Sequence, residues 1–80
     1  MSETIKLIWD FKGTTAQKIA EHHAKHLNEY CLIHQTDFSI TGTEIIHEMH
    51  CIAYMVISKK EMTPIRDALK PQRAVIYEAE

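Results

Sequence analysis

The nine residues from His50 to Ser58 constrain the fold more than any other part of this 80-residue chain. Successive side chains of a strand point to opposite faces. Here both alternating sets are apolar, namely Ile52, Tyr54 and Val56 in one set and Cys51, Ala53, Met55 and Ile57 in the other. A strand that is apolar on both sides must be covered on both faces. The pattern therefore predicts a strand in the centre of a sheet.

The N-terminal part of the chain predicts one strand and one helix. Ile5–Phe11 has the alternation and the β-branched and aromatic content of a strand. Thr14, followed three residues later by Gln17, has the pattern of a capping box, so we expect a helix from there to about Tyr30 or slightly beyond. At helical spacing, one apolar side is formed by Ala16, Ile19, Ala20, His23, Ala24, Leu27, Tyr30 and Cys31.

The segment before His50 allows two interpretations. The first places a strand near Thr43–Glu48 and a tight turn near Met49. The second places the turn at Thr41 and Gly42, with one long strand afterwards. Both give a strand that precedes or includes the central one.

The C-terminal part predicts a short helix and a last strand. Ser58 with Glu61 has the pattern of a second capping box, and Pro71 stops the helix that follows. The segment 73–78 has the composition of a strand.

The order β-α-β-β-α-β predicts an α+β fold, and residues 1–80 have room for a single domain. The expected architecture is a ferredoxin-like plait, with a four-stranded antiparallel sheet and two helices on one face. The first and third strands would be the central pair. Because two helices cover one face only, we expect a homodimer that buries the open sheet face.

Charge and composition exclude several classes of function. Residues 1–40 carry four basic and five acidic side chains, and residues 41–80 carry five and six. This even balance forms no basic face for nucleic acid. The sequence contains no apolar run of membrane-spanning length and its N-terminus lacks a signal-peptide pattern, so we expect no membrane partner and a cytoplasmic location. Cys31 and Cys51 are expected to be free thiols.

All six histidines lie between positions 22 and 50, which points to a metal. His22 and His26 are one helical turn apart and can share one transition metal. Further ligands could come from His47, His50 or Cys51, for Zn, Cu or Ni. The alternative is that these histidines are ordinary polar residues on a solvated helix flank and a hairpin.

Two further groups of residues are candidates for chemistry. His23 lies in the apolar stripe of the helix, and Asp10 could orient it as a catalytic general base. The alternative is a structural histidine bonded to a carbonyl or a hydroxyl. A basic group at the end of the second helix could receive an anion or complement the helix dipole. Its members are Arg66, Lys70 and Arg73.

Three segments resemble a group of short, uncharacterised bacterial proteins, and the resemblance extends over nearly the whole chain. They are the segments 7–13 (LIWDFKG), 20–27 (AEHHAKHL) and 66–73 (RDALKPQR). The resemblance implies a ferredoxin-like fold similar to the dimeric α+β-barrel proteins, which include cofactor-free oxygenases, degradative enzymes and ligand-binding regulatory domains. It implies no assigned activity.

These observations favour a small cytoplasmic dimeric binding or interaction domain over an enzyme. A complete catalytic set is missing from the sequence, and a fold alone does not decide function. The first alternative is a transition-metal-binding protein that uses the helix histidine pair. The second is a cofactor-free enzyme with a histidine general base.

Overall fold

A computed structural model describes residues 4–36 and 40–77 of the chain, which form four strands and two helices. The strands are β1 (Thr4–Lys12), β2 (Thr41–His47), β3 (His50–Ser58) and β4 (Arg73–Tyr77), and the helices are α1 (Ala16–His34) and α2 (Met62–Leu69). A single 3₁₀ turn at Lys59–Glu61 leads into α2. Neither helix, within the residues described, has the length and apolarity needed to span a membrane.

The strands form one antiparallel sheet in the order β2-β3-β1-β4. The α+β class and the order β-α-β-β-α-β are therefore confirmed. So is the central position of the first and third strands, which are the two with apolar residues on both sides. The last strand ends at Tyr77 among the described residues, and Glu78, which was expected to continue it, lies outside them.

The hairpin before the central strand follows the first of the two sequence interpretations. β2 ends at His47, the turn occupies Glu48 and Met49, and β3 begins at His50. The alternative turn at Thr41 and Gly42 is wrong, because both residues lie inside β2.

Of the two predicted capping boxes, one is confirmed and the other is wrong. Ser58 and Glu61 form the reciprocal contacts of a capping box at the start of the 3₁₀ turn. α1 instead starts one residue later than expected, with Thr15 at its N-cap position, and the Gln17 side chain donates to Glu21 in the next helical turn. Gly13, at φ 111°, provides the left-handed turn between β1 and α1.

The helix-covered face of the sheet holds the main core. The fully buried members include Leu7, Leu27, Met55 and Ile57, and both cysteines are buried there as free thiols. Ile19, expected in the buried stripe of α1, is 47 % exposed. The stripe is narrower than the sequence predicts, because α1 meets the sheet mainly through small residues that allow close approach.

On the face of the sheet opposite the helices, side chains of the strands themselves bury part of the apolar surface. Ile8, Ile52 and Val56 belong to this face, and each is at most 5 % exposed within a single chain. The hydroxyl end of Tyr54 packs against Gly42, where a Cβ would come within 2.6 Å of the tyrosine oxygen. The Lys6 ammonium lies 4.5 Å from the centre of the Tyr54 ring.

Candidate functional site

The alternation of β1 places neighbouring polar and aromatic side chains on opposite faces of the sheet. Trp9 and Phe11 pack toward the helices, whereas Asp10 points to the other face. His23 projects from α1 and therefore meets the two aromatic rings. The structure does not bring Asp10 and His23 together, and the histidine that Asp10 contacts is His50.

The Asp10 carboxylate is engaged at both oxygens. Its Oδ1 accepts hydrogen bonds from His50 Nε2 at 2.8 Å and from Arg73 Nη2 at 2.9 Å. Its Oδ2 accepts from Arg73 Nε at 3.0 Å. An ionised carboxylate accepts only, so His50 carries its proton on Nε2. The arrangement is a charge-assisted cluster with a two-point guanidinium contact.

Strand pairing fixes the positions of these groups. His50 begins β3 and Arg73 begins β4, the two strands that flank β1. Gln72 attaches the segment before β4 to β1 through two hydrogen bonds. Its side-chain Oε1 accepts from the Asp10 backbone N–H at 2.7 Å, and its backbone N–H donates to the Ile8 carbonyl at 3.0 Å. The Asp10 carboxylate of β1 is thus fixed by contacts from the starts of β3 and β4, which are distant in sequence.

An open cavity of about 550 Å³ lies beside this cluster. Its lining consists of Asp10, Lys12, His50, Gln72 and Arg73. Two positive side chains against one carboxylate give the lining a net charge of +1 with His50 neutral, whereas the whole chain has a formal charge of −2. The cavity is therefore a positively charged region on an acidic chain, a combination that attracts anions.

The surroundings of Asp10 keep it ionised. Partial burial by itself raises the pKa of this carboxyl group, but the hydrogen bonds from His50 and Arg73, together with their charge, lower the pKa below the ordinary value of 3.8. The carboxylate consequently holds the Arg73 side chain in place at neutral pH.

His23 lies on the helix side, between aromatic rings. Its ring centre is 4.9 Å from that of Trp9 and 5.5 Å from that of Phe11. Its Nε2 is buried and has no hydrogen-bond partner among residues 4–36 and 40–77. Burial, followed by the nearby His26 and His22, lowers the pKa of His23. The expected bond to a carbonyl or a hydroxyl is thus missing at this nitrogen in the described part of the chain.

The four histidines predicted as metal ligands form two separate pairs. The Nε2 atoms of His22 and His26 are 3.0 Å apart on the exposed side of α1. The rings of His47 and His50 are 5.6 Å apart at the β2–β3 hairpin, where His47 Nδ1 accepts from the Met49 N–H. Within the described residues, no three His, Cys, Asp or Glu side chains converge on one point. The four histidines therefore do not form one site within a single chain.

Sequence reasoning missed the partnership of Arg73 with Asp10 and the contributions of Lys12 and Gln72. Arg73 was grouped with the basic residues at the end of α2, whereas its contact is with the middle of the sheet. The order of strands contained a usable signal, because the last strand of such a sheet lies beside the first.

We compared the chain with family models, curated proteins and solved structures, and none of them matches it.

Proposed function

We propose that this protein is a small cytoplasmic domain of the ferredoxin-like type, that it forms a homodimer, and that it binds a small anionic ligand in the cavity beside Asp10. The observation that carries the proposal is the positive lining of that cavity. Lys12 and Arg73 supply two cationic groups in an otherwise acidic chain. Anionic groups such as carboxylate and phosphate are recognised by this kind of lining.

The state of Arg73 supports binding of a ligand. Its Nε and Nη2 are held by the Asp10 carboxylate, which orients the plane of the guanidinium group. Its side chain is nevertheless 51 % exposed and lines the cavity, so the N–H donors that Asp10 does not use are accessible to a ligand. An oriented guanidinium loses less side-chain entropy when it binds an anion.

Binding is favoured over catalysis by the way in which Asp10 is used. A carboxylate that serves a general base orients the histidine and stabilises its imidazolium form. Here the same oxygen that contacts His50 also accepts from Arg73, and the second oxygen is occupied by Arg73. Asp10 therefore positions a cation for a ligand.

The ligand proposal is tested by titrating the protein with inorganic phosphate and following backbone amide resonances by NMR. We expect saturable shifts for amides that line the cavity, and we expect Arg73→Gln and Lys12→Gln each to weaken binding several-fold. Lys12→Gln leaves the contacts of Asp10 in place, so its effect reports on charge and not on altered packing. The matched control is Arg66→Gln, because Arg66 has the same side-chain exposure as Arg73 and lies in α2.

The proposal is overturned if phosphate produces no saturable shifts at millimolar concentration. It is also overturned if Arg66→Gln weakens binding as much as Arg73→Gln and Lys12→Gln do, since the effect would then be one of overall charge.

The homodimer rests on exposed apolar side chains at the edges of the sheet. Val75, in the edge strand β4, faces the same side as Lys6 and is 44 % exposed, and the half-buried Tyr54 lies on the same face beyond β1. Because Ile8, Ile52 and Val56 are covered within one chain, contact between copies would involve the margin of this face and not its centre.

Size-exclusion chromatography with light scattering tests this association. We expect a mass of twice 9.3 kDa, and we expect Val75→Lys to shift the protein toward the monomer. Ile19→Lys is the matched control, because Ile19 has a similar exposure of 47 % but lies on α1. A monomeric wild-type protein at micromolar concentration would contradict the dimer without affecting the ligand proposal.

A further inference from the structure

His22 and His26 form a convergent pair of nitrogen atoms on the exposed surface of α1. One helical turn separates them, and their Nε2 atoms share a hydrogen bond of 3.0 Å, in which one ring donates its N–H and the other accepts. The two rings are nearly perpendicular, with centres 4.5 Å apart. A metal ion that replaces the shared proton would have both Nε2 atoms as ligands.

The distance between the two nitrogens is compatible with their binding one metal ion. Bonds from a metal to histidine nitrogen are about 2.0–2.1 Å long, so two nitrogens 3.0 Å apart subtend about 95° at the ion. A small rotation of either exposed ring reaches the right angle of a tetragonal site or the tetrahedral angle of about 109°, so the choice of metal follows from its affinity for nitrogen ligands. Cu(II) and Ni(II) prefer the tetragonal arrangement, and Cu(II) has the higher affinity for nitrogen ligands.

Glu29 provides a second, independent indication of a metal site. Its Oε1 lies 3.4 Å from His26 Nδ1, the ring nitrogen that does not face His22. A carboxylate near Nδ1 favours the tautomer with its proton on Nδ1, which leaves the Nε2 lone pair of His26 for an acceptor or metal-ligand role. Metal-bound histidines commonly have such a carboxylate behind them, which fixes the tautomer and orients the ring.

We propose that His22 and His26 bind one Cu(II) ion through their Nε2 atoms, with Glu29 as a positioning residue behind His26. Ni(II) is expected to bind the same site with lower affinity. Because no third His, Cys, Asp or Glu among residues 4–36 and 40–77 joins the pair, the remaining coordination positions take water or a small ligand. α1 and the anion cavity lie on opposite sides of the sheet, so the two sites are independent.

Titration of tag-free protein with Cu(II), supplied as its glycine complex, tests the site. We expect one equivalent to bind, and we expect His22→Gln and His26→Gln each to weaken binding at least about tenfold, because each leaves a single imidazole. His34→Gln is the control, since His34 is an exposed histidine of the same helix that stacks on Tyr30 and is outside the pair. Circular dichroism verifies that each variant is folded.

Electron paramagnetic resonance gives a readout specific to the ligands. The spectrum of the copper-loaded protein is expected to show a tetragonal site with two imidazole nitrogens, and the double variant His22→Gln/His26→Gln is expected to lose it. Glu29→Gln should keep the stoichiometry and lower the affinity several-fold, which is less than the roughly 10–100-fold known for residues behind metal ligands because the 3.4 Å contact is exposed.

Two results would overturn the proposal. One is that both single histidine variants bind Cu(II) as tightly as the wild type. The other is that the double variant retains the same spectrum, because the copper would then be bound elsewhere in the chain. An unchanged affinity in Glu29→Gln would refute the positioning role of Glu29.

Discussion

His23 and His50 approach the same strand, β1, from opposite sides of the sheet and meet opposite surroundings. His23, on the helix side, is enclosed by Trp9 and Phe11, and its Nε2 has no partner within the described residues. His50, on the other side, is hydrogen-bonded to Asp10 at the rim of a cavity. One strand therefore gives one histidine an apolar environment and the other a charged one.

This difference shows how closely spaced residues acquire different roles. Successive residues of a strand face opposite sides, so the single step from Trp9 to Asp10 changes the available partner from a ring to a carboxylate. The buried, unpaired nitrogen of His23 favours the neutral imidazole, whereas the ionised Asp10 favours a proton on His50 Nε2. The two histidines should therefore respond differently to substitution.

The largest effect is expected on the charged side. Asp10→Asn weakens the contacts to Arg73 and His50, and we expect the free energy of unfolding to fall by about 1–2 kcal/mol at pH 7, after allowance for the half-exposed Arg73. Urea denaturation measures this loss. Asp67→Asn is the control, because Asp67 is 69 % exposed and 3.8 Å from Arg66, and its pair should contribute less than about 0.5 kcal/mol.

The pH dependence of that loss follows from the lowered pKa of Asp10. A carboxyl group whose pKa is lowered by folding stabilises the protein above its unfolded pKa and loses this contribution as the pH falls toward the folded pKa. The difference between wild type and Asp10→Asn should thus shrink as the pH falls below about 4. A difference that is equally large at pH 3 would contradict the ion-pair interpretation.

The sequence predicts features that depend on neighbouring residues better than contacts between residues far apart in the chain. Alternation over 5–11 assigns Trp9 and Asp10 to opposite faces, so the separation of Asp10 from the helix could have been deduced. The proximity of Asp10 to the start of the helix in sequence favoured the wrong histidine. Strand alternation is local, and the same logic correctly predicted the central position of His50–Ser58.

The partners of Asp10 could not be predicted from local pattern. They depend on the register of β1 against β3 and β4, which pairs Lys12 with His50 and Ile8 with Arg73. That register is set by packing of the whole sheet. The exposure of Ile19 was missed for a similar reason, because the width of the buried stripe depends on where α1 lies over the sheet.

A smaller effect, of opposite sign, is expected on the apolar side. His23→Phe replaces the unpaired imidazole by a ring that needs no partner, and we expect the free energy of unfolding to rise by about 1 kcal/mol at pH 7.5. His23→Leu is a second variant, in case the larger phenyl ring overpacks the site. A loss of stability in both variants would mean that the His23 ring makes a favourable polar contact.

The same variants test the protonation of His23. A histidine whose pKa is lowered by folding remains neutral in the folded protein while the unfolded chain takes up a proton, so stability falls as the pH decreases below 6.5. The advantage of His23→Phe over wild type should therefore grow between pH 7.5 and pH 5.

The smallest effect concerns the way in which the face opposite the helices is covered. Lys6 lies over the Tyr54 ring, so its aliphatic stem shields apolar surface while its ammonium group contacts the ring face. We expect Lys6→Gln to lower the free energy of unfolding by about 0.5 kcal/mol, and Lys18→Gln, on the exposed side of α1, to have no measurable effect. A double-mutant cycle with Tyr54→Leu isolates the contact, because the two losses should not add. Additive losses would mean that Lys6 and Tyr54 shield this face independently, and that the face opposite the helices is covered without the cation–ring contact.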